Sequence, residues 1–158
     1  MEKRELRVKP IVNGTVIDHI TAGQALNVLK ILGINQHSKY VVSVLMNVPS
    51  GEMKAKDVVK VEGRELDPEE VDTIALIAPK STINIIRNYE VVHKFRTDRP
   101  RQVIGLIRCG NPNCISNTSE PVQSRFVVEG AEGDRDDVVL RCSYCEFVLD
   151  RDLAEHLL

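Results

Sequence analysis

The chain has 158 residues, 42% hydrophobic and 28% charged, with a formal net charge of −2. That size allows one ordinary domain or two small ones, and that composition is globular and soluble. The charge balance excludes bulk attraction for nucleic acid, and the longest apolar run, around 40–46, is too short to cross a bilayer. The charged start Met1-Glu2-Lys3-Arg4-Glu5 lacks an apolar secretory stretch, so a cytoplasmic protein is expected.

With no Trp and 4% aromatics, the core must come from Val, Ile and Leu. Residues 6–12 and 15–20 are β-rich runs around Asn13-Gly14, which predicts a hairpin. Pro10 demotes the first run to an edge or bulge, because it cannot donate to the ladder. Thr21 and Gln24 read as a capping box for a helix with Ala22, Ala25, Leu26, Leu29 and Leu32 as its stripe. Gly33 stands at its left-handed C′ position. The Val-rich run 40–48 predicts a strand buried on both faces or nearly so, ended by Pro49-Ser50-Gly51. In the next strand, 56–61, Val59 and Val61 share one face while Lys56 and Lys60 share the other.

A second helix begins with Asp67 as N-cap, Pro68 at N1, Glu70 at N3 and a Leu66–Val71 staple. Its stripe is Val71, Ile74, Ala75 and Ala78, and Pro79 stops it. Strands 81–86 and 89–95 follow around Asn88. The order β-β-α-β-β-α-β-β predicts an α+β fold: an N-terminal antiparallel sheet with two helices on one face, a ferredoxin-like sandwich.

The polar run 97–102 reads as a short connection, dividing the chain into 1–98 and 99–158. Beyond it, strands at 103–108, 125–129, 137–141 and 146–150, with a turn at 130–136, predict a small all-β, zinc-ribbon-like domain. All four cysteines lie here, as Cys109-x4-Cys114-x27-Cys142-x2-Cys145. Two short-spaced pairs bring four sulfurs to one ion, and Zn²⁺ takes four thiolates at about 2.3 Å. Iron and two disulfides are the rarer alternatives, the latter needing an oxidising compartment. Four protein ligands leave no open position, so one zinc per chain should hold structure and perform no chemistry. About 55 residues bury too little apolar surface to fold comfortably alone, which is why a metal would matter.

Catalytic signatures are lacking: there is no Gly-rich phosphate loop, zinc-protease His pair or nucleophile elbow. His19, His37, His93 and His156 are scattered. His19 stands out because Asp18-His19 ends a predicted strand at a helix N-terminus. Lys56, Lys60 and Lys94 could form a phosphate-binding patch, although strand lysines also serve as edge protection.

Gly14-Thr15-Val16-Ile17-Asp18-His19-Ile20, Asn47-Val48-Pro49-Ser50-Gly51-Glu52-Met53, Asn88-Tyr89-Glu90-Val91-Val92, Asn113-Cys114-Ile115-Ser116-Asn117 and Cys142-Ser143-Tyr144-Cys145 occur in order over most of the chain. Together they resemble the regulatory chain of aspartate carbamoyltransferase. The resemblance implies a nucleotide-binding allosteric domain and a zinc domain docking on a separate catalytic chain. It further implies regulatory dimers, a dodecamer of six catalytic and six regulatory chains, and ATP and CTP as effectors. By that resemblance Lys94 and His19 lie near the phosphates, Lys60 and Asp18 near the sugar, and Lys56 adds charge. Ile11, Val16, Asn84, Ile86, Tyr89 and Val91 surround base and ribose, Tyr89 having a core strand-end anchor as its plainer role. Pro10 removes an amide beside Ile11, and 146–158 matches none of these motifs.

The competing class is a zinc-ribbon nucleic-acid-binding protein, which would carry a basic stripe where Glu129, Glu132, Asp134, Asp136 and Asp137 face Arg135 alone. A small enzyme acting on phosphorylated substrates would need a positioned acid–base pair or an open metal, and neither is legible.

Overall fold

The structure, a computed structural model, describes residues 10–51, 53–130 and 138–158. Strand β1 (Gly14–Thr21) is central to an antiparallel sheet of order β2-β3-β1-β4-β5, formed with β2 (Val42–Ser50), β3 (Lys54–Glu62), β4 (Thr82–Arg87) and β5 (Glu90–Arg96). Helices α1 (Ala25–Ile31) and α2 (Pro68–Ile77) connect these strands and pack on each other. The succession βαββαβ with this strand order is the ferredoxin-like sandwich, extended by β5 at one edge. Period-two alternation sends Thr15, Ile17, Val59, Val61, Ile83 and Ile85 inward, where Ala25, Val28, Leu32, Val71, Ile74 and Ile77 meet them. Each fully buried Val or Ile stabilises by about 1.5–3 kcal/mol relative to exposure.

Helix α2 starts as its sequence predicts. Asp67 accepts from the Glu70 N–H at 2.9 Å, Glu70 reaches back to the Asp67 N–H, and Pro68 opens the first turn. Helix α1 ends as predicted too: Gly33, at φ 69, donates to Lys30 O, and Ile34 donates to Leu29 O, the two bonds of a Schellman motif. Arg64 joins the two helices by donating to Leu32 O and pairing with Glu70.

Four expectations need correction. Residues 10–13 form no strand, and 6–9 lie outside the described residues. Both edges of β1 are taken by β3 and β4, so an N-terminal hairpin partner has no edge to join. Gly14 instead permits close approach: a Cβ there would stand 2.1 Å from Val61 O. The start of α1 carries no Thr21–Gln24 box, because Thr21 ends β1 and Gln24 makes no side-chain cap bond. The Asp57 carboxylate, reaching over from β3, accepts from the Gly23 and Ala25 N–H groups instead. Leu26 is 62% exposed, and Val28 takes its place in the stripe. Finally, β2 is an edge strand, half-exposed, with Pro49 inside it rather than beyond it. An edge tolerates that missing donor.

The second sheet is antiparallel, of order β6-β7-β8-β9, with β6 (Gln102–Ile104), β7 (Arg125–Glu129), β8 (Val139–Cys142) and β9 (Val148–Leu149). The predicted strand at 103–108 is interrupted at Gly105, whose φ of 71 turns the chain, and Ile107 rejoins through a bridge to Leu157. Most of the predicted turn at 130–136, with Glu132, Asp134, Arg135, Asp136 and Asp137, lies outside the described residues. Thr97, read as the start of a polar connection, is buried, with its Oγ1 3.2 Å from Ser81 Oγ.

The segment after Cys145 closes the two halves on each other. Leu153 and Ala154, in a 3-10 turn (Leu153–His156), are buried beside α2. His156 O accepts from Arg108, and Leu106 O from Leu158. The apolar interiors of both sheets thus form one continuous cluster.

Candidate functional sites

The sheet face turned away from the helices carries the predicted nucleotide residues. Val16 pairs with Lys60 on one side and with Asn84 on the other, and Asn84 pairs with Lys94. Directly paired residues share a face, so Lys60, Val16, Asn84 and Lys94 form one row across β3, β1, β4 and β5. Asn84 Nδ2 donates to Val16 O at 3.4 Å. Ile86 pairs with Val91 one step along. Ile86 and Ile11 are buried, yet both stand outside the continuous core cluster. The segment carrying Ile11 is held by Val12 O, which accepts from the Tyr89 N–H, and by Asn13 O, which accepts from Gly63.

Asp18, His19 and Lys56 gather at a β-bulge. Pairing of β1 with β3 skips between Ile17 and Ile20, and His19 there has φ 55. Lys56 Nζ lies 2.9 Å from Asp18 Oδ1, which also accepts from the His19 N–H at 2.6 Å. Burial by itself would raise the Asp18 pKa. The Lys56 ammonium and the His19 amide outweigh it and hold the carboxyl below its usual range. His19 Nδ1 is 3.3 Å from Thr82 Oγ1.

Two sequence expectations shift here. Asp18-His19 does not end its strand, which runs on to Thr21, and the α1 N-terminus is already taken by Asp57. Tyr89 is no core anchor: it is 65% exposed in the β4–β5 turn, where Asn88 (φ 50) and Tyr89 (φ 66) give the I′ geometry of a two-residue hairpin. Sequence reasoning missed Thr82 and Asp57. Asp57 had a signal, since it shares its face of β3 with inward-facing Val59 and Val61.

The second site is the sulfur cluster. The Sγ atoms of Cys109, Cys114, Cys142 and Cys145 all lie within 4.8 Å of one another. Cys109–Cys145 and Cys114–Cys142 are each 3.6 Å apart, too long for a disulfide. Sulfurs about 2.3 Å from a tetrahedral ion stand about 3.8 Å apart, so this donor set fits such an ion. The first loop is held by Asn117 Nδ2, which donates to Cys109 O and Asn111 O. The second closes through Cys142 N–H to Phe147 O and Glu146 N–H to Cys142 O.

Burial pushes the Cys109 and Cys142 thiols up. Burial pushes Cys145 the same way, but the Phe147 amide, Asn111 and the neighbouring thiols stabilise its thiolate and bring it down to about 7. One thiolate therefore forms first, and an arriving ion must displace the remaining protons.

These observations define a class: a two-part protein with a ferredoxin-like sheet whose open face gathers cations, joined to a β-sheet knuckle built to hold a structural metal ion. Comparison with known proteins is specific. The family model described as "Aspartate carbamoyltransferase regulatory chain, allosteric domain" matches residues 6–98, and its "metal binding domain" counterpart matches 101–155. An aspartate carbamoyltransferase regulatory chain from Methanocella arvoryzae is 77% identical over 156 residues, covering 99% of this chain and 98% of the relative. One from Methanococcoides burtonii is 61% identical, covering 98% and 95%, and one from Methanothrix thermoacetophila is 56% identical over the full length of both. The chain belongs to the family of aspartate carbamoyltransferase regulatory chains, and is the regulatory, non-catalytic kind of subunit.

Proposed function

We propose that this chain binds a nucleoside triphosphate, ATP or CTP, on the open face of β1–β5 and passes that occupancy to a catalytic chain of aspartate carbamoyltransferase in pyrimidine biosynthesis. The observation that carries this reading is the row Lys60–Val16–Asn84–Lys94 with Lys56, Asp18 and His19 beside it. Cations flank a centre made of the Val16 side chain and the Asn84 amide, which suits a ligand with a charged tail and a flat base bearing hydrogen-bonding edges. Ile11, Ile86, Tyr89 and Val91 border that centre on the β4–β5 side. Residues 1–98 form the allosteric domain in this reading, and 99–158 the domain that docks on the catalytic chain.

The ion in the cysteine cluster is zinc, one per chain, bound by Cys109, Cys114, Cys142 and Cys145. It supplies a structural cross-link. The chain works in the cytoplasm, pairs with itself along β2 and enters a dodecamer of six catalytic and six regulatory chains. The exposed β2 edge, with Tyr40, Val41 and Met46 about half exposed, supports that pairing. Effector and catalytic site then share a coupling free energy of about 1–3 kcal/mol.

Calorimetric titration with ATP and CTP tests the site. Lys94→Ala should weaken binding about tenfold or more, since a charge-assisted phosphate contact is lost. Lys60→Ala should lower affinity and also blunt the response of the assembled enzyme. Equal affinities in wild type and both variants would return these lysines to solvated strand residues. Sedimentation of the isolated chain tests pairing, and a monomer throughout would refute it.

A further inference from the structure

Asp57 is a fully buried carboxylate at the meeting point of three strands and a helix. Its Oδ2 accepts from Gly23 N–H (2.9 Å) and Ala25 N–H (3.0 Å), and its Oδ1 from Asn47 N–H (2.9 Å). A buried charge is tolerated only when its lone pairs are met by donors.

The position along β3 is as telling as the bonds. Pairing of β1 with β3 passes from Ile17–Val59 to Ile20–Asp57, so Asp18 and His19 together oppose Val58. Pairing of β2 with β3 passes from Leu45–Val58 to Val48–Lys56, so Met46 and Asn47 together oppose Asp57. Two bulges therefore lie opposite successive β3 residues, each with a residue at positive φ, His19 at 55 and Asn47 at 59. One bulge carries the Asp18–His19–Lys56 group. The other shapes the sheet edge.

We infer that Asp57 is a positioning residue for the effector site: its carboxylate ties the bulge that presents Asp18 and His19 to the bulge of edge strand β2 and to the start of α1. This rests on the nucleotide reading above. Gly23 and Ala25 follow His19 by a few residues, so their bonds to Oδ2 fix where β1 leaves its bulge. The Asn47 bond to Oδ1 fixes β2 against the same side chain. Asp57 is adjacent to Lys56, so a phosphate that draws Lys56 from Asp18 pulls on the residue holding both bulges. Phosphate occupancy thereby reaches the β2 edge and α1 through one carboxylate.

Asp57→Asn separates this role from general stability. An amide can turn its oxygen to Gly23 and Ala25, but its NH₂ then faces the Asn47 N–H, donor against donor. The Gly23 and Ala25 bonds then lose their charge assistance and the Asn47 bond is lost outright, so both bulges loosen. Ile77→Val, a buried α2 position away from the bulges, serves as the control for simple destabilisation.

In the complex with the catalytic chain, Asp57→Asn should retain its metal and still assemble. It should bind ATP and CTP about tenfold more weakly, the loss expected for about one charged hydrogen bond. Ile77→Val should bind as wild type does. Amide hydrogen exchange without nucleotide should speed up in Asp57→Asn at residues 18–25 and 46–48 together, with Val59 and Ile83 still protected.

Wild-type affinity in Asp57→Asn, or an equal loss in Ile77→Val, overturns the inference. Unchanged exchange at either bulge does so as well. If wild type itself takes up neither nucleotide, the proposed function falls separately, and the exchange data alone decide whether Asp57 holds the bulges.

Discussion

The two sheets of this chain keep their shape by different means. Strands β1–β5 are six to nine residues long and carry two helices, so Ile17, Ile20, Val28, Val59, Ile74 and Ile83 are removed entirely from water. Strands β6–β9 are two to five residues long, and among the described residues their buried apolar interior besides the sulfurs is Val103, Ile107, Phe126, Val138, Leu140, Leu149, Leu153 and Ala154. The first sheet can afford a buried carboxylate, Asp57, because its apolar burial is large and three amides satisfy the charge. The second must cross-link its two knuckles through an ion. Apolar area scales with strand length and helix cover, and where both are small a metal replaces them.

Removing the metal should break the comparison most visibly. Chelation or mercurial modification of the four cysteines should melt β6–β9, release the catalytic chain and leave β1–β5 folded, as circular dichroism and sedimentation would show. A complex that survives complete metal loss would contradict this. Acid should act in the same direction: because the ion displaces thiol protons, metal affinity should fall as pH drops, and more steeply below about 7, where the Cys145 thiol regains its proton. Competition with a coloured chelator across pH would measure that slope.

Core truncations sharpen the contrast. Phe126→Ala should cost about 4 kcal/mol and Ile83→Ala about 3 kcal/mol. The first falls on a small interior and should lower metal retention in thermal melts, whereas the second should leave the metal in place. Smaller still is Asp67→Ala, which removes the α2 cap and should cost about 1 kcal/mol by denaturant titration.

The Asp18–Lys56 pair should give the smallest effect. Asp18 is held below its usual pKa, so its stabilisation is present above the unfolded value of about 3.9 and is lost as pH falls through the folded value. Wild type should exceed Asp18→Asn by less than about 1 kcal/mol at neutral pH, because the pair is partly exposed. That margin should shrink below about pH 4. A margin independent of pH would rule out this pair as its source.

Local patterns were legible wherever the physics is local. Asp67-Pro68-x-Glu70 announces α2 because its capping bonds span three residues, and Gly33 announces the end of α1 because only the backbone of C′ and its neighbours is involved. The metal cluster was legible for the same reason, each short cysteine spacing being a loop that converges two sulfurs. The first hairpin was misread because Asn13-Gly14 describes a turn only if an edge of the next strand is free, and β3 and β4 occupy both edges of β1.

By itself the sequence determined the order of elements, the helix caps at Asp67 and Gly33, the alternation that splits Lys60 from Val59, and the four sulfurs. Only the tertiary structure decided that the apolar run of β2 lies at an edge, that α1 is capped by a carboxylate from β3, and that 153–158 fastens one sheet to the other. Each depends on which strand lies beside which, and residues such as Asp57 and Gly23, 34 apart in the chain, meet only after that order is set.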